Sequence, residues 1–208
     1  MRVIFYFTAL LFFLNLEAKD NLTDQALEKL KQGNLRYVHD SMRNGDLTSS
    51  RRQSILSKQN PFAVIVGCSD SRVPPEIIFD QGLGDLFTIR VAGNVVGDLE
   101  LESILYAAKA VKTPLILVLG HQNCGAVKAV LEGNTELITN IANLIEPAIA
   151  RAKTCKPPVL NCAIKYNVTG VVHKLLQDKS LAKMVSEKKL NVVGAYYNLD
   201  SGVVEFGL

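Results

Sequence analysis

The sequence predicts an α/β fold: a mainly parallel central β-sheet flanked by helices, with an N-terminal helical extension and an antiparallel C-terminal edge strand. Two observations carry this. The runs Ala63-Val64-Ile65-Val66 and Leu115 to Leu119 are continuously apolar instead of alternating, which marks strands buried on both faces. Each ends abruptly, at Gly67-Cys68 and at Gly120-His121, and around them strand-like and helix-like stretches alternate, as in a parallel sheet covered by helices.

The first stretch, Met1 to Ala18, has a positive charge at Arg2, an apolar run from Val3 to Leu16 and a small residue at Ala18 before Lys19-Asp20. This is the layout of a signal peptide cleaved near Ala18, giving a protein exported to the periplasm or secreted. The apolar run is too short for a stable membrane anchor, since a helical span takes about 20 residues. Residues 19–208 then form one domain of 208 − 18 = 190 residues, long enough for a sizeable core.

Within that domain, Leu27, Leu30, Leu35 and Val38 recur at helical spacing and predict a helix over Thr23 to Ser41. Arg43 to Lys58 is polar without clear period and reads as a loop or short helix. Between the two apolar runs lie a strand at Leu86 to Val91 and a helix at Leu99 to Val111. Beyond them Asn140 to Lys153 and Asn161 to Gln177 read as helices, with Pro147 expected to kink or interrupt the first. Leu190 to Tyr197 reads as a strand, followed by a tight turn at Asn198 to Gly202 and a final strand at Val203 to Phe206.

The net charge is +3, and removing Arg2 and Glu17 with the leader leaves it at 22 − 19 = +3, without a long like-charge block. Nucleic-acid binding therefore has no electrostatic support. Four cysteines in an exported chain suggest disulfides by default, but a chain this long with 48% hydrophobic residues does not need staples.

In open parallel sheets ligand sites form beyond the carboxyl ends of the strands, and both abrupt ends here carry reactive residues. The first offers Cys68-Ser69-Asp70-Ser71-Arg72 and the second His121-Gln122-Asn123-Cys124-Gly125. Two thiolates and one imidazole suit Zn2+, so Cys68, His121 and Cys124 are candidate metal ligands. His121 and Cys124 are three residues apart, so one turn can aim both at one ion while Cys68 arrives from a neighbouring strand. A helix starting at Gly125 would help keep Cys124 as thiolate. Asp70 can close the tetrahedron as a fourth ligand, or pair with Arg72 and leave zinc free to activate water. Other chemistries fit poorly. A cysteine phosphatase loop needs a longer span than the three residues between Cys68 and Arg72, and Gly82-Leu83-Gly84 lacks the third glycine of a dinucleotide fingerprint.

The runs CSDSRVPPE, from Cys68 to Glu76, and GHQNCGAV, from Gly120 to Val127, resemble the two signature motifs of the β-class carbonic anhydrases, and the similarity extends from Ala26 to the closing VVGAYYNLDSG. The resemblance implies zinc-dependent reversible hydration of carbon dioxide to bicarbonate and a proton, by attack of zinc-bound hydroxide on CO2. It implies Cys68, His121 and Cys124 as zinc ligands and Asp70 with Arg72 as the catalytic dyad, Asp70 ligating zinc in a closed state. Gln59, Phe87 and Tyr106 match substrate-pocket positions of the plant-type members, and the Gly125 amide is a further donor to substrate. Ile65 stands where bicarbonate-inhibited members carry a Trp, and the chain has no Trp, so Arg90 alone cannot complete their second bicarbonate site. The resemblance also implies a homodimer or homotetramer with the site near the dimer interface.

Cys155 and Cys162, seven residues apart, can close a small disulfide or stay free. Asn21 and Asn167 match the glycosylation pattern. Two rival readings use the same residues: an exported zinc-binding scaffold permanently closed by Asp70, and a disulfide-stapled binding module with Cys68 or Cys124 oxidised.

Overall fold

The computed structural model describes residues 21–208; the leader assigned to residues 1–18 lies outside them. The first helix, α1 (Leu22–Val38), and a short α2 (Ser49–Ser54) precede the sheet. Then come β1 (Ala63–Gly67), a one-turn α3 (Pro75–Ile78), β2 (Leu86–Arg90) and a 3₁₀ turn at Ala92–Asn94. The helix α4 (Asp98–Tyr106) runs directly into a π-helical turn (Ala107–Val111), followed by β3 (Leu115–His121) and α5 (Gly125–Glu132). The chain ends with α6 (Thr139–Ala152), α7 (Val159–Gln177), α8 (Lys179–Ser186), β4 (Asn191–Tyr197) and β5 (Val204–Phe206).

The five strands form one sheet in the order β2-β1-β3-β4-β5. The first three pairings are parallel and β4 with β5 is antiparallel, as the sequence predicts. Every residue of β1 and β3 is buried, which explains their unbroken apolarity. Alternate side chains serve opposite faces. Ala63, Ile65, Leu115, Leu117 and Leu119 pack with Leu30 of α1 and Ile78 and Phe79 at α3, whereas Val64, Val66, Ile116 and Val118 pack beneath α4, α7 and α8. Each fully buried Leu, Ile or Val contributes about 1.5–3 kcal/mol relative to exposure, so these two strands anchor the fold.

Polar groups fix how α1 sits on the sheet. Buried Asn34 donates from Nδ2 to the carbonyls of Gly202 (2.9 Å) and Ile78 (3.3 Å) and accepts at Oδ1 from the Val204 amide (2.9 Å). One side chain thus ties α1 to α3 and to the C-terminal hairpin. Gly33 is required beside it, because a Cβ there would overlap the Phe79 carbonyl.

One expectation is corrected. Pro147 does not interrupt its helix: α6 continues through it from Thr139 to Ala152. The helices α3 and α8 are additions: α3 is a single turn, and α8 brings Leu181, Met184 and Val185 to the core on one face. Asp178 caps α8 by accepting from the amides of Ser180 and Leu181 (2.9 and 3.0 Å).

Asp80, whose side chain is wholly buried, links α1 to the segment that follows it. Burial pushes its carboxyl pKa up, but the Arg36 guanidinium and the Arg43 and Asn44 amides (3.1 and 2.9 Å) outweigh this and hold it below the usual carboxylate range. A folded-state pKa below the unfolded one gives stability that is present above about pH 4 and lost as pH falls through the folded value. Asp80→Asn should therefore cost about 1–3 kcal/mol at neutral pH and flatten the acid limb of the stability curve, read by urea melts from pH 3 to 7.

Candidate metal centre

The pairing of β1 with β3 builds this site. Val66 lies opposite Val118 and Gly67 opposite Leu119, so both strands leave the sheet at the same edge and carry Cys68 and His121 there side by side. The tight turn after β3, with Asn123 at φ 53°, returns the chain to Cys124, the N-cap of α5. The ligand atoms of Cys68, His121 and Cys124 all lie within 4.8 Å of one another, and the three residues are buried.

The protonation pattern fits a cation. His121 Nδ1 lies 2.9 Å from the Gln122 carbonyl oxygen, which can only accept, so Nδ1 carries the hydrogen and Nε2 keeps its lone pair. That Nε2 is buried without a hydrogen-bond partner. A buried orphan acceptor beside two sulfurs is costly unless its lone pair meets a metal. The hydrogen bond from Cys124, reinforced by the amides of Asp70 and Gly93, pulls the Cys68 thiol below the ordinary thiol range against its burial. Cys124 is pushed up by that same hydrogen bond and by burial, while the Val127 and Ala126 amides at the start of α5 act in the opposite direction. Its side chain makes no capping bond to the helix, so the amides act through their field. The two sulfurs are thus shifted in opposite directions by their shared hydrogen bond, and the Cys2His donor set fits zinc with a fourth position left over.

Asp70 stands beside this centre, its Oδ2 3.9 Å from His121 Nε2. It is held by Arg72 in a bidentate pair, Nε to Oδ1 at 2.9 Å and Nη2 to Oδ2 at 2.7 Å, and Oδ1 also accepts from the Arg72 amide at 2.9 Å. These bonds to Arg72 outweigh burial and bring the Asp70 carboxyl down to about 2. In this arrangement Asp70 belongs to Arg72 and not to the metal position.

Three supporting groups were not legible in the sequence. Arg90, last residue of β2, donates from Nε to the Cys68 carbonyl (2.9 Å) and from Nη2 to the Asp70 carbonyl (2.6 Å), clamping the turn that carries ligand and dyad. The amide of Gly93 donates to Cys68 Sγ at 3.3 Å. The Gln122 side chain accepts from the Leu199 amide (2.9 Å) and donates to Asp200 (2.8 Å), fixing the residue whose carbonyl orients His121. An Arg closing an apolar strand opposite Gly67 was the only available signal.

The remaining predicted site residues divide. Gly125 adjoins Cys124, and nothing lies within 4 Å of where its Cβ would be. Phe87 pairs with Val64, four residues before Cys68 and so about 13 Å back along the strand. Tyr106 ends α4 at 55% exposure with its ring 6.5 Å from that of Phe87, and Gln59 is exposed. The described chain joins Phe87 to Tyr106 but brings neither to the metal centre. Cys155 and Cys162 are joined in a disulfide between α6 and α7, leaving Cys68 and Cys124 as the free thiols. Asn167 is buried and donates to the Gly93 carbonyl at 2.7 Å, so its glycosylation pattern has no accessible acceptor.

Residues 63–204 match the family described as Carbonic anhydrase. The chain belongs to the β-carbonic anhydrases. It is 37% identical over 187 residues to the carbonic anhydrase of Mycolicibacterium smegmatis, covering 86% of this chain and 91% of that protein. The Coccomyxa β-carbonic anhydrase bound to acetazolamide superposes with a TM-score of 0.67 at 28% identity, over 76% of each chain. A tetrameric β-carbonic anhydrase of Sordaria macrospora does so at 0.69 and 22% identity, over 74% of this chain and 84% of that one, which speaks to the fold alone.

The cysteine arrangement predicts two thiols titratable after denaturation under chelation and four after reduction. Two more before reduction would deny the disulfide, and none would mean that Cys68 and Cys124 are oxidised.

Proposed function

We propose that this chain catalyses the zinc-dependent reversible hydration of carbon dioxide at the Cys68, His121 and Cys124 centre. The observation that carries the proposal is the buried, unpartnered His121 Nε2 facing two cysteine sulfurs, with Asp70 held aside by Arg72. Zinc bound there supplies Lewis acidity, lowering the pKa of a water at its open position toward about 7. The protein's own part is orientation. Oδ1 of Asp70 is already filled by two donors from Arg72, whereas Oδ2 accepts one and keeps a lone pair facing the centre. A carboxyl that titrates near 2 stays ionised at neutral pH and can only accept a hydrogen, so it aims the lone pair of a reacting water at carbon dioxide. Arg72 keeps it from closing the site. The Gly125 amide, at the open start of α5, donates to the oxygen that gains charge.

Gln59, Phe87 and Tyr106 form the apolar and amide wall of the substrate pocket in a homodimer or homotetramer, where a second copy brings them to the metal centre. The exposure of Gln59 and Tyr106 and the distance of the half-buried Phe87 from the centre within one chain support this assignment. The chain acts after export to the periplasm or beyond the cell, following cleavage near Ala18, a reading supported by the disulfide at Cys155. Among the described residues no helix is long and apolar enough to cross a membrane.

Hydration measured from about pH 6.5 to 9, with zinc determined on the same sample, tests the reading. Activity with about one zinc per chain is expected, and a zinc-loaded protein inert at every pH would instead favour the scaffold closed by Asp70. Asp70→Asn should keep its zinc and lose about a hundredfold or more in rate, because one of its carboxamide atoms donates where the carboxylate accepts. His121→Ala should lose zinc as well as activity.

A further inference from the structure

Asn167 lies in the middle of α7 at 3% exposure, and the neighbouring buried residues of that helix, Ala163, Ile164, Val168 and Val171, are all apolar. Asparagine is a weak helix former and its amide is costly to bury unpaired, so packing alone would be better served by an apolar side chain. Its partner is specific. Nδ2 donates to the Gly93 carbonyl at 2.7 Å, across 74 residues of sequence.

The turn that carries Gly93 is of a kind that needs outside support. Gly93 and Asn94 are both left-handed, φ 74° and 46°, one after the other. Such a pair persists only where its surroundings determine it, and glycine is the residue least able to hold its own backbone angles. The Asn94 amide donates to the Val91 carbonyl at 2.8 Å, and the Val91 amide to the Gly67 carbonyl at 3.1 Å, so the turn is tied within itself and to the end of β1. The hold from across the fold comes from Asn167. On the other side of the same glycine, the amide donates to Cys68 Sγ at 3.3 Å.

We infer that Asn167 is a positioning residue for the metal centre. By fixing the Gly93 carbonyl it keeps the Gly93 amide on the Cys68 sulfur, and so sets how strongly that sulfur holds the metal. The inference rests on the zinc reading of the centre. Hydrogen bonds to the ligands of a metal are typically worth about 10–100-fold in its affinity. An N–H···S bond also draws electron density from the sulfur, which raises the energy of charge transfer from thiolate to metal.

The test uses the full chain with cobalt(II) in place of zinc, where that charge transfer is visible. Asn167→Ala should lower zinc affinity about 10–100-fold, read by competition with a chelator, and move the cobalt band to longer wavelength. Leu175→Ala, at a fully buried position of α7 outside this relay, should lower the melting temperature through its cavity and leave both the band and the zinc affinity as in the wild type. One measurement needs no variant: in wild-type protein loaded with NMR-active cadmium, the Gly93 amide proton should show scalar coupling to the metal through the Cys68 sulfur. The inference is overturned by an unmoved band and unchanged affinity in Asn167→Ala, by equal changes in Leu175→Ala, or by the absence of that coupling. Wild-type protein that shows no thiolate-to-cobalt band would overturn the metal reading of Cys68 and Cys124 itself, and this inference with it.

Discussion

The parallel pairing of β1 with β3 is the constraint on which the site depends. Two strands in register leave the sheet together, so residues more than fifty positions apart in sequence arrive at one edge without any long loop to order. Their burial on both faces makes the register costly to change, since a slip of one residue would turn Ile65 and Leu117 from one packed layer to the other. The geometry of the metal ligands is therefore set by core packing, and the entropic cost of gathering them is met by folding as a whole.

Around that edge the polar groups work in relays. Arg90 holds two carbonyls of the turn from Cys68 to Asp70, and Ser69 returns a hydrogen bond to the Arg90 carbonyl at 3.2 Å. His121 is aimed by Gln122, which is in turn held by the hairpin between β4 and β5. With its guanidinium engaged by backbone carbonyls, Arg90 acts as a strut, which agrees with Ile65 standing where a second bicarbonate site would need Trp. The disulfide lies between α6 and α7, so oxidative stapling and metal ligation use different sulfurs.

What was legible in the sequence followed from period and abruptness. Continuous apolar runs located β1 and β3 because both their faces are covered, and the residues just past their ends include the Cys68, His121 and Cys124 that cluster there and the paired Asp70 and Arg72. The helix α3 was not legible because four residues are too short to display amphipathic period, whereas α8 repeats Leu181, Met184 and Val185 at helical spacing over only two turns and was passed over. Pro147 misled because its ring was expected to break α6, whereas the helix accommodates the missing amide hydrogen bond. The roles of Arg90, Gly93 and Gln122 depend on which backbone atoms come close in space, and no spacing rule encodes that. Gln59, Phe87 and Tyr106 came from resemblance alone, and a single chain leaves them apart from the metal.

Gly93 carries a consequence of a different kind. Its amide points at the sulfur of Cys68 and its carbonyl at the side chain of Asn167 in the middle of α7. Its left-handed backbone, φ 74°, and the nearby Ile145 and Ala126 side chains leave no room for a side chain at this position. The hydrogen bonding at the Cys68 sulfur is thereby tied to the placement of a helix that contributes none of the clustered Cys and His side chains. Sequence drift along α7 can retune the donor strength of Cys68 while every residue at the centre itself stays the same.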